Sequence, residues 1–285
     1  LALLCTTVSA QQDKISARPL THQEIADYAL PDGTHPSGSL FTVGVGDPVY
    51  LEALTVADTP VTNLVWSLTA QPGSSTATLG ADPLVGLPTY NPSDQRDYDL
   101  VGRQLLIPDA VGQYTVTATL SVDGASDIVL TQNIIAANYV GVGGQDGNPI
   151  AFPKCGACHP THAADWTTTG HSDMFTLAID GLKSAHYNEG CIDCHTLGFN
   201  TNSLAVNGGF DDVATAEGWT FPAILTNGNW LAMPDPLKEV SNIQCENCHG
   251  AGSMHNGNIN NISVSFTTGT CGQCHDEEPY HVKNL

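Results

Sequence analysis

Hydrophobic and polar residues alternate in short runs through the first half of the chain. The clearest run is YTVTATLSV at residues 114–122, and such a period of two is typical of a half-buried strand. Pro-Gly and Asp-Gly pairs, which favour turns, lie between these runs. We predict further strands over residues 48–54, 63–68 and 128–135. Short strands separated by turns predict an antiparallel β-sandwich.

The pattern changes near residue 150. Residues 151–285 lack long aliphatic runs and are rich in Gly, Asn, His and Cys, so we expect no conventional apolar core there. Short helices are predicted over residues 160–169, 174–185 and 236–239, with loops elsewhere. The glycine-rich stretch GVGGQDG, at residues 141–147, is typical of a linker. The predicted organisation is therefore a sandwich over 11–140, a linker over 141–150 and a second domain over 151–285.

The first ten residues, LALLCTTVSA, end in the small-residue pattern of a signal-peptide cleavage site. We interpret residues 1–10 as a signal-peptide remnant or an ordinary N-terminal segment, and a lipid anchor on Cys5 is a further alternative.

The charge balance excludes several classes of partner. The 285 residues include 8 Lys+Arg and 29 Asp+Glu, a formal net charge of −21. Nucleic-acid binding needs a basic face, and docking on an anionic membrane needs basic residues as well. No run of apolar residues predicts a transmembrane segment.

Eight of the nine cysteines form four copies of the pattern Cys-x-x-Cys-His. This pattern is the attachment signal for c-type haem: the two thiols bond to the haem vinyl groups, and the adjacent histidine reaches the iron. A zinc site, a thioredoxin-like pair or structural disulfides would not explain a histidine after every pair. We predict four covalently attached haem c groups, bonded through Cys155, Cys158, Cys191, Cys194, Cys245, Cys248, Cys271 and Cys274. Their iron ligands from the motifs are His159, His195, His249 and His275.

The remaining histidines predict the second iron ligands. The chain has 11 His but only 3 Met, which favours two histidines per iron and a lower reduction potential than a Met ligand would give. His162 is expected to be a surface residue. His22 and His35, far away in sequence, are expected to be solvated or to ligate a haem of a neighbouring copy.

Two stretches carry a resemblance to a known family. Residues 155–175 read CGACHPTHAADWTTTGHSDMF, and residues 243–255 read IQCENCHGAGSMH. Both resemble stretches of multihaem cytochromes related to the tetrahaem electron carriers of ammonia oxidisers. The resemblance implies that His171 and His255 are distal ligands, often of a different haem from their own motif. By position, His186 and His281 complete the set of four.

The first half resembles immunoglobulin-like and PKD-like extracellular domains over about residues 40–138. Trp66 is followed by PDAVGQY at residues 108–114, which is similar to a tyrosine corner, although the cysteine pair of antibody domains is missing. A spacer, a surface coat and a binding module are all compatible with this fold.

Closely packed low-spin haems exchange electrons without bond chemistry at the iron. We therefore expect an electron-transfer protein and not an enzyme, with other cytochromes or extracellular acceptors as partners. Because haem c is attached outside the cytoplasm, we expect export to the cell surface or the extracellular space, with the periplasm as second choice. Similar tetrahaem chains stack into extracellular filaments, so the resemblance also implies a homopolymer.

The alternative is a redox enzyme acting on a small nitrogen or sulfur compound at one open haem. Residues 151–285 contain four Lys and no Arg, which makes a pocket for an anion hard to build.

Overall fold

A computed structural model describes residues 12–56, 58–88 and 98–275 of the chain. The strands in this part of the chain form two four-stranded sheets, with the orders β1-β3-β6-β5 and β2-β8-β7-β4. All pairs are antiparallel except β2 with β8, which is parallel. The strands are β1 Lys14–Ala17, β2 Thr42–Gly44, β3 Val49–Val56, β4 Val61–Ala70, β5 Leu79–Gly80, β6 Tyr98–Leu106, β7 Gly112–Val122 and β8 Ile128–Ala137.

The alternating pattern of β7 explains how the two sheets pack. Tyr114, Val116, Ala118 and Leu120 are fully buried, and the threonines between them face outward because successive side chains of a strand point to opposite faces. All four predicted strands are confirmed, with slightly longer bounds. The sandwich-like pair of sheets is confirmed as well, while the immunoglobulin identity stays a prediction.

Strand β6 was not predicted because its pattern is interrupted in the middle. It contains Gly102 and Arg103, and a buried arginine looks like a loop residue in a sequence. Arg103 is tolerated because its guanidinium lies 2.7 Å from the buried Glu52 carboxylate on the neighbouring strand β3.

The helices of the described residues are short, and none is long and apolar enough to cross a membrane. The predicted helices of the second half are confirmed, although α4 ends at Ile179 and not near residue 185. The helix α6 was not predicted. The helices are α1 His22–Asp27, α2 Cys155–Cys158, α3 Pro160–Trp166, α4 Met174–Ile179, α5 Ile192–His195, α6 Phe210–Glu217, α7 Asn229–Ala232, α8 Asp235–Lys238, α9 Cys245–His249 and α10 Thr268–His275.

The second half has an apolar core of its own, so the expectation that it would lack one was wrong. Phe175, Ile179, Phe210 and Leu237 are almost completely buried, and the rings of Phe175 and Phe210 meet edge to face at 5.4 Å. Isolated apolar residues from α4, α6 and α8 converge here, although no long run of them exists in the sequence.

The glycine-rich stretch 141–147 is held by hydrogen bonds to the second half. The amide of Gly141 donates to Glu246 Oε2 at 2.6 Å, and the amide of Val142 donates to Gln244 Oε1 at 2.6 Å. Gln145 is buried and its side chain donates to the Ser241 carbonyl. The domain boundaries stay a prediction, but this stretch packs against the third Cys-x-x-Cys-His motif.

Candidate haem sites

Each Cys-x-x-Cys-His motif lies on a short helical segment: α2, α9, α10, or α5 together with the 3₁₀ turn Glu189–Cys191 that precedes it. Residues three apart lie on the same face of a helix, so both cysteines of a motif point to the same side. The motif histidine follows at the end of the helical turn. This local geometry suits attachment of one planar ring by two thioether bonds.

The four motifs lie next to one another. The fourth motif contacts the second, with Cys274 Sγ 3.9 Å from the Cys194 carbonyl. It also contacts the third, because Gln273 Nε2 donates to the Asn247 carbonyl at 3.3 Å. The Cys155 and Cys245 thiols of the first and third motifs are close enough to shift one another's pKa in opposite directions. These contacts give the spatial order first, third, fourth, second.

Two motif histidines face a second imidazole. The ring centres of His159 and His255 are 6.2 Å apart with their planes 16° apart, and those of His171 and His275 are 6.1 Å apart at 45°. A metal–nitrogen bond to histidine is about 2.0–2.1 Å long and the ring centre lies about 1.1 Å beyond the nitrogen, so two imidazoles on opposite sides of one iron have centres about 6.2–6.4 Å apart. The ring separations of both pairs are close to this spacing.

Hydrogen bonds orient two of these rings. Nδ1 of His255 donates to the Asn258 carbonyl at 3.0 Å, and Nδ1 of His249 donates to the Ser263 carbonyl at 2.7 Å. Because iron-binding histidines commonly donate their other ring nitrogen to a carbonyl, these bonds leave Nε2 of each ring for a metal.

His195 of the second motif lies in a buried environment. Its ring stacks on Tyr187 with centres 5.3 Å apart, and its Nδ1 is buried with no hydrogen-bond partner among the described residues. Burial lowers the pKa of His195 to about 4, helped by the nearby His275 and His171. The imidazole is therefore neutral at ordinary pH, as a metal ligand must be.

The structure shows no second imidazole partner for His186 among the described residues, and it confirms that His162 is a surface residue. His186 is exposed and its Nδ1 lies 2.7 Å from Ser184 Oγ. His162 is exposed on α3, with its ring 6.1 Å from that of His159. His281 lies outside the described residues.

The expectation that His22 and His35 would be solvated was wrong. Nε2 of His22 lies 3.0 Å from Asp193 Oδ2, inside the second motif. Nε2 of His35 lies 3.2 Å from the Phe199 carbonyl and 4.0 Å from Asp193 Oδ1. The hydrogen bond to Asp193 raises the pKa of His22 to about 10. These two histidines of the first half therefore hold the second motif through Asp193. In the sequence, the only feature that points to this contact is the carboxylate of Asp193 within CIDCH.

A buried carboxylate holds the third motif in place. Glu246 accepts hydrogen bonds from the amides of Val140, Gly141 and Gly252. Burial raises the pKa of Glu246 to about 7, and the amide donors act in the opposite direction. Within the same motif, the Asn247 side chain donates to the Thr196 carbonyl at 2.8 Å. The side chains between the cysteines thus position the motif.

Residues 154–214 match the family model described as "Cytochrome c554 and c-prime". The matched stretch contains the first two Cys-x-x-Cys-His motifs and His171. No curated protein and no solved structure matches the chain significantly. Together with the motifs, the match supports a c-type cytochrome that carries electrons on covalently bound haem c, in an extracytoplasmic setting as is general for such proteins.

Proposed function

We propose that the chain binds four haem c groups and conducts electrons along them in the order first, third, fourth and second motif. The observation that carries this proposal is the contact between neighbouring motifs. The cysteines attach at the porphyrin edge, so motifs in contact bring two haem edges close together.

Each ring pair of the structure is assigned to one iron. His159 and His255 hold the first, and His275 and His171 hold the fourth, so each distal histidine serves a motif other than the one it follows. His186 and His281 are the proposed second ligands of the other two irons on the resemblance alone.

When bound, haem iron supplies one-electron chemistry. The chain's own residues set the ligands, the burial and the hydrogen bonds that tune such a centre. Asn258 and Ser263 hold imidazoles in orientation, and Tyr187 shields His195 from water.

The first motif is the proposed site of exchange with other cytochromes or extracellular acceptors. Cys158 and His159 are exposed, which leaves one end of the series at the surface. End-to-end stacking of copies into an extracellular filament would continue the series there, and the sandwich would sheath it. This part of the proposal rests on the resemblance to filament-forming tetrahaem chains.

The first experiment measures haem content and spin state. The intact mass of the exported protein gives the number of haems, and electron paramagnetic resonance (EPR) of the oxidised protein gives their coordination. We expect four haems per chain, all low-spin. Three or fewer haems would contradict the stoichiometry. A high-spin signal from about a quarter of the iron would favour the enzyme alternative, because it needs one open coordination position.

A second experiment tests the order of the series. Replacing Cys245 and Cys248 by Ser removes the haem that joins the first motif to the fourth, so electron exchange between the two ends should slow by orders of magnitude. The matched control replaces Cys155 and Cys158 by Ser. This removes the haem at one end of the series and leaves the other three haems next to one another, so exchange among them should stay fast. If the rate of electron exchange among the three remaining haems is the same in both variants, the proposed order is wrong.

A further inference from the structure

Strand β4 is an open edge of the sheet β2-β8-β7-β4. Among the described residues, it pairs only with β7. Between the register shifts at its two ends lies a regular stretch, residues 63–68, about 20 Å long at 3.3–3.4 Å per residue. Such an edge presents a row of unpaired amide and carbonyl groups, which is a template for another strand.

Between the register shifts at its two ends, β4 lacks the charges and prolines that usually protect an edge strand. Its sequence, VTNLVWSLTA, contains no Lys, no Pro and no charged residue. The other outermost strands among the described residues are short: β1 has 4 residues, β2 has 3 and β5 has 2. Because β2 pairs only with Ile135–Ala137 in the described part of the chain, residues 128–134 of β8 are open as well, but a strand added there would meet β2 at its end, whereas β4 is open along its whole regular stretch.

The apolar side chains of β4 are incompletely covered. Leu64, Trp66 and Leu68 pack against the sandwich core but are only partly buried, whereas their partners on β7 are fully buried. On the outer face, Val65 is 51% exposed. A strand added beside β4 would cover this partly exposed row and gain the free energy of burying it.

The charge distribution is compatible with a strand supplied by a second copy of the chain. The chain has a net charge of −21, so two copies repel one another over most of their surfaces. Strands β4, β7 and β8, however, contain no charged residue. A second copy can therefore approach here without bringing like charges directly together.

From these observations we propose that β4 pairs antiparallel with the β4 of a second copy about a two-fold axis. The two four-stranded sheets then form one sheet of eight strands. A two-fold contact of this kind is self-complementary and closes after two copies. It lies on the sandwich and uses no haem, so it goes beyond the proposed electron transfer and does not depend on it.

The test is a pair of matched double variants of the full holoprotein. Val65→Asp with Ser67→Asp puts two negative charges on the edge strand. Thr117→Asp with Thr119→Asp puts the same charges on β7, in the same two rows of the same sheet. Because β7 is paired on both sides at these residues, this control changes the net charge equally but puts no charge on an edge strand.

Sedimentation velocity over a concentration series, in about 0.5 M salt to screen the net charge, gives the association constant. We expect the wild type to self-associate, the edge variant to associate at least tenfold more weakly, and the control to stay within twofold of wild type. A wild type that is monomeric throughout overturns the proposal, and so does an equal effect of both variants.

Hydrogen exchange of the wild type provides a measurement that needs no variant. The amides of residues 63–68 that point away from β7 should become protected as concentration rises, while the haem spectrum stays unchanged. Protection that does not depend on concentration overturns the pairing even if the edge variant fails to fold. Neither result bears on the number or order of the haems, which mass and EPR decide separately.

Discussion

The pairing of His159 with His255 leads to a specific spectroscopic prediction for His255→Ala. The structure offers two imidazoles at nearly the same distance from His159: His255 at 6.2 Å and His162 at 6.1 Å. Only His255 has its Nδ1 bonded to a carbonyl, that of Asn258, so that Nε2 is left to face the iron. His162 lies three residues after His159 on the same short helical segment and cannot reach the opposite side of a haem held by that segment.

We expect His255→Ala to leave one iron of four with a single histidine ligand. About a quarter of the total iron should then change from low-spin to high-spin in the EPR spectrum. The near-parallel ring planes, 16° apart, make the surroundings of this iron strongly anisotropic in the plane of the haem. The signal that disappears should therefore be a rhombic low-spin one. Free imidazole added to the variant should restore it, because the cavity left by the side chain has the shape of that ligand.

The matched control is His162→Ala, which removes an equally close imidazole and should leave the spectrum unchanged. The reasoning fails if His255→Ala remains fully low-spin, or if His162→Ala produces the high-spin iron. Haem content of both variants, measured by intact mass, separates loss of a ligand from loss of a haem.

Two further predictions concern the contacts between the halves. Replacing His22 by Ala removes its hydrogen bond to Asp193 and should lower the free energy of unfolding by about 1–2 kcal/mol at pH 7, because the pair is partly exposed. Since the hydrogen bond to Asp193 raises the pKa of His22 above 6.5, the stabilisation is complete below pH 6.5 and disappears as the pH rises through the raised pKa. Denaturant titrations of variant and wild type should therefore converge at alkaline pH, and a constant difference would contradict the assignment. Gly250→Ala should cost about 3 kcal/mol or more, since its φ is +81° and a Cβ would overlap the Thr42 carbonyl. Gly218→Ala, also at positive φ but with open space around it, should cost only about 1 kcal/mol, and equal costs in thermal melts would argue against the close approach.

Much of the fold could be predicted from the sequence where a local pattern is regular. The strands β4 and β7 follow from alternation, which a single buried face imposes. Strands β3 and β8 were predicted as well, although seven of the eight residues of β3 are buried. Strand β6 could not be predicted, because Arg103 interrupts its pattern and is tolerated only through Glu52 on another strand.

The candidate site divides in the same way. Haem attachment depends on five consecutive residues, so each Cys-x-x-Cys-His motif carries its own chemistry wherever the chain places it. The ring of His255 lies beside that of His159, and the ring of His171 lies beside that of His275. The residues of each pair are far apart in sequence. Only the packing of the segments that carry them brings these rings together.

The sequence by itself determined the four Cys-x-x-Cys-His motifs that predict haem attachment, the acidic surface and the main strands, because each depends on composition or on neighbours along the chain. The tertiary structure decided which motifs lie next to one another, which imidazoles lie beside His159 and His275, and the contacts of His22 and His35 with Asp193. These contacts join segments with no local pattern in common. Their free energy comes from burial and hydrogen bonding that exist only once the two halves have packed.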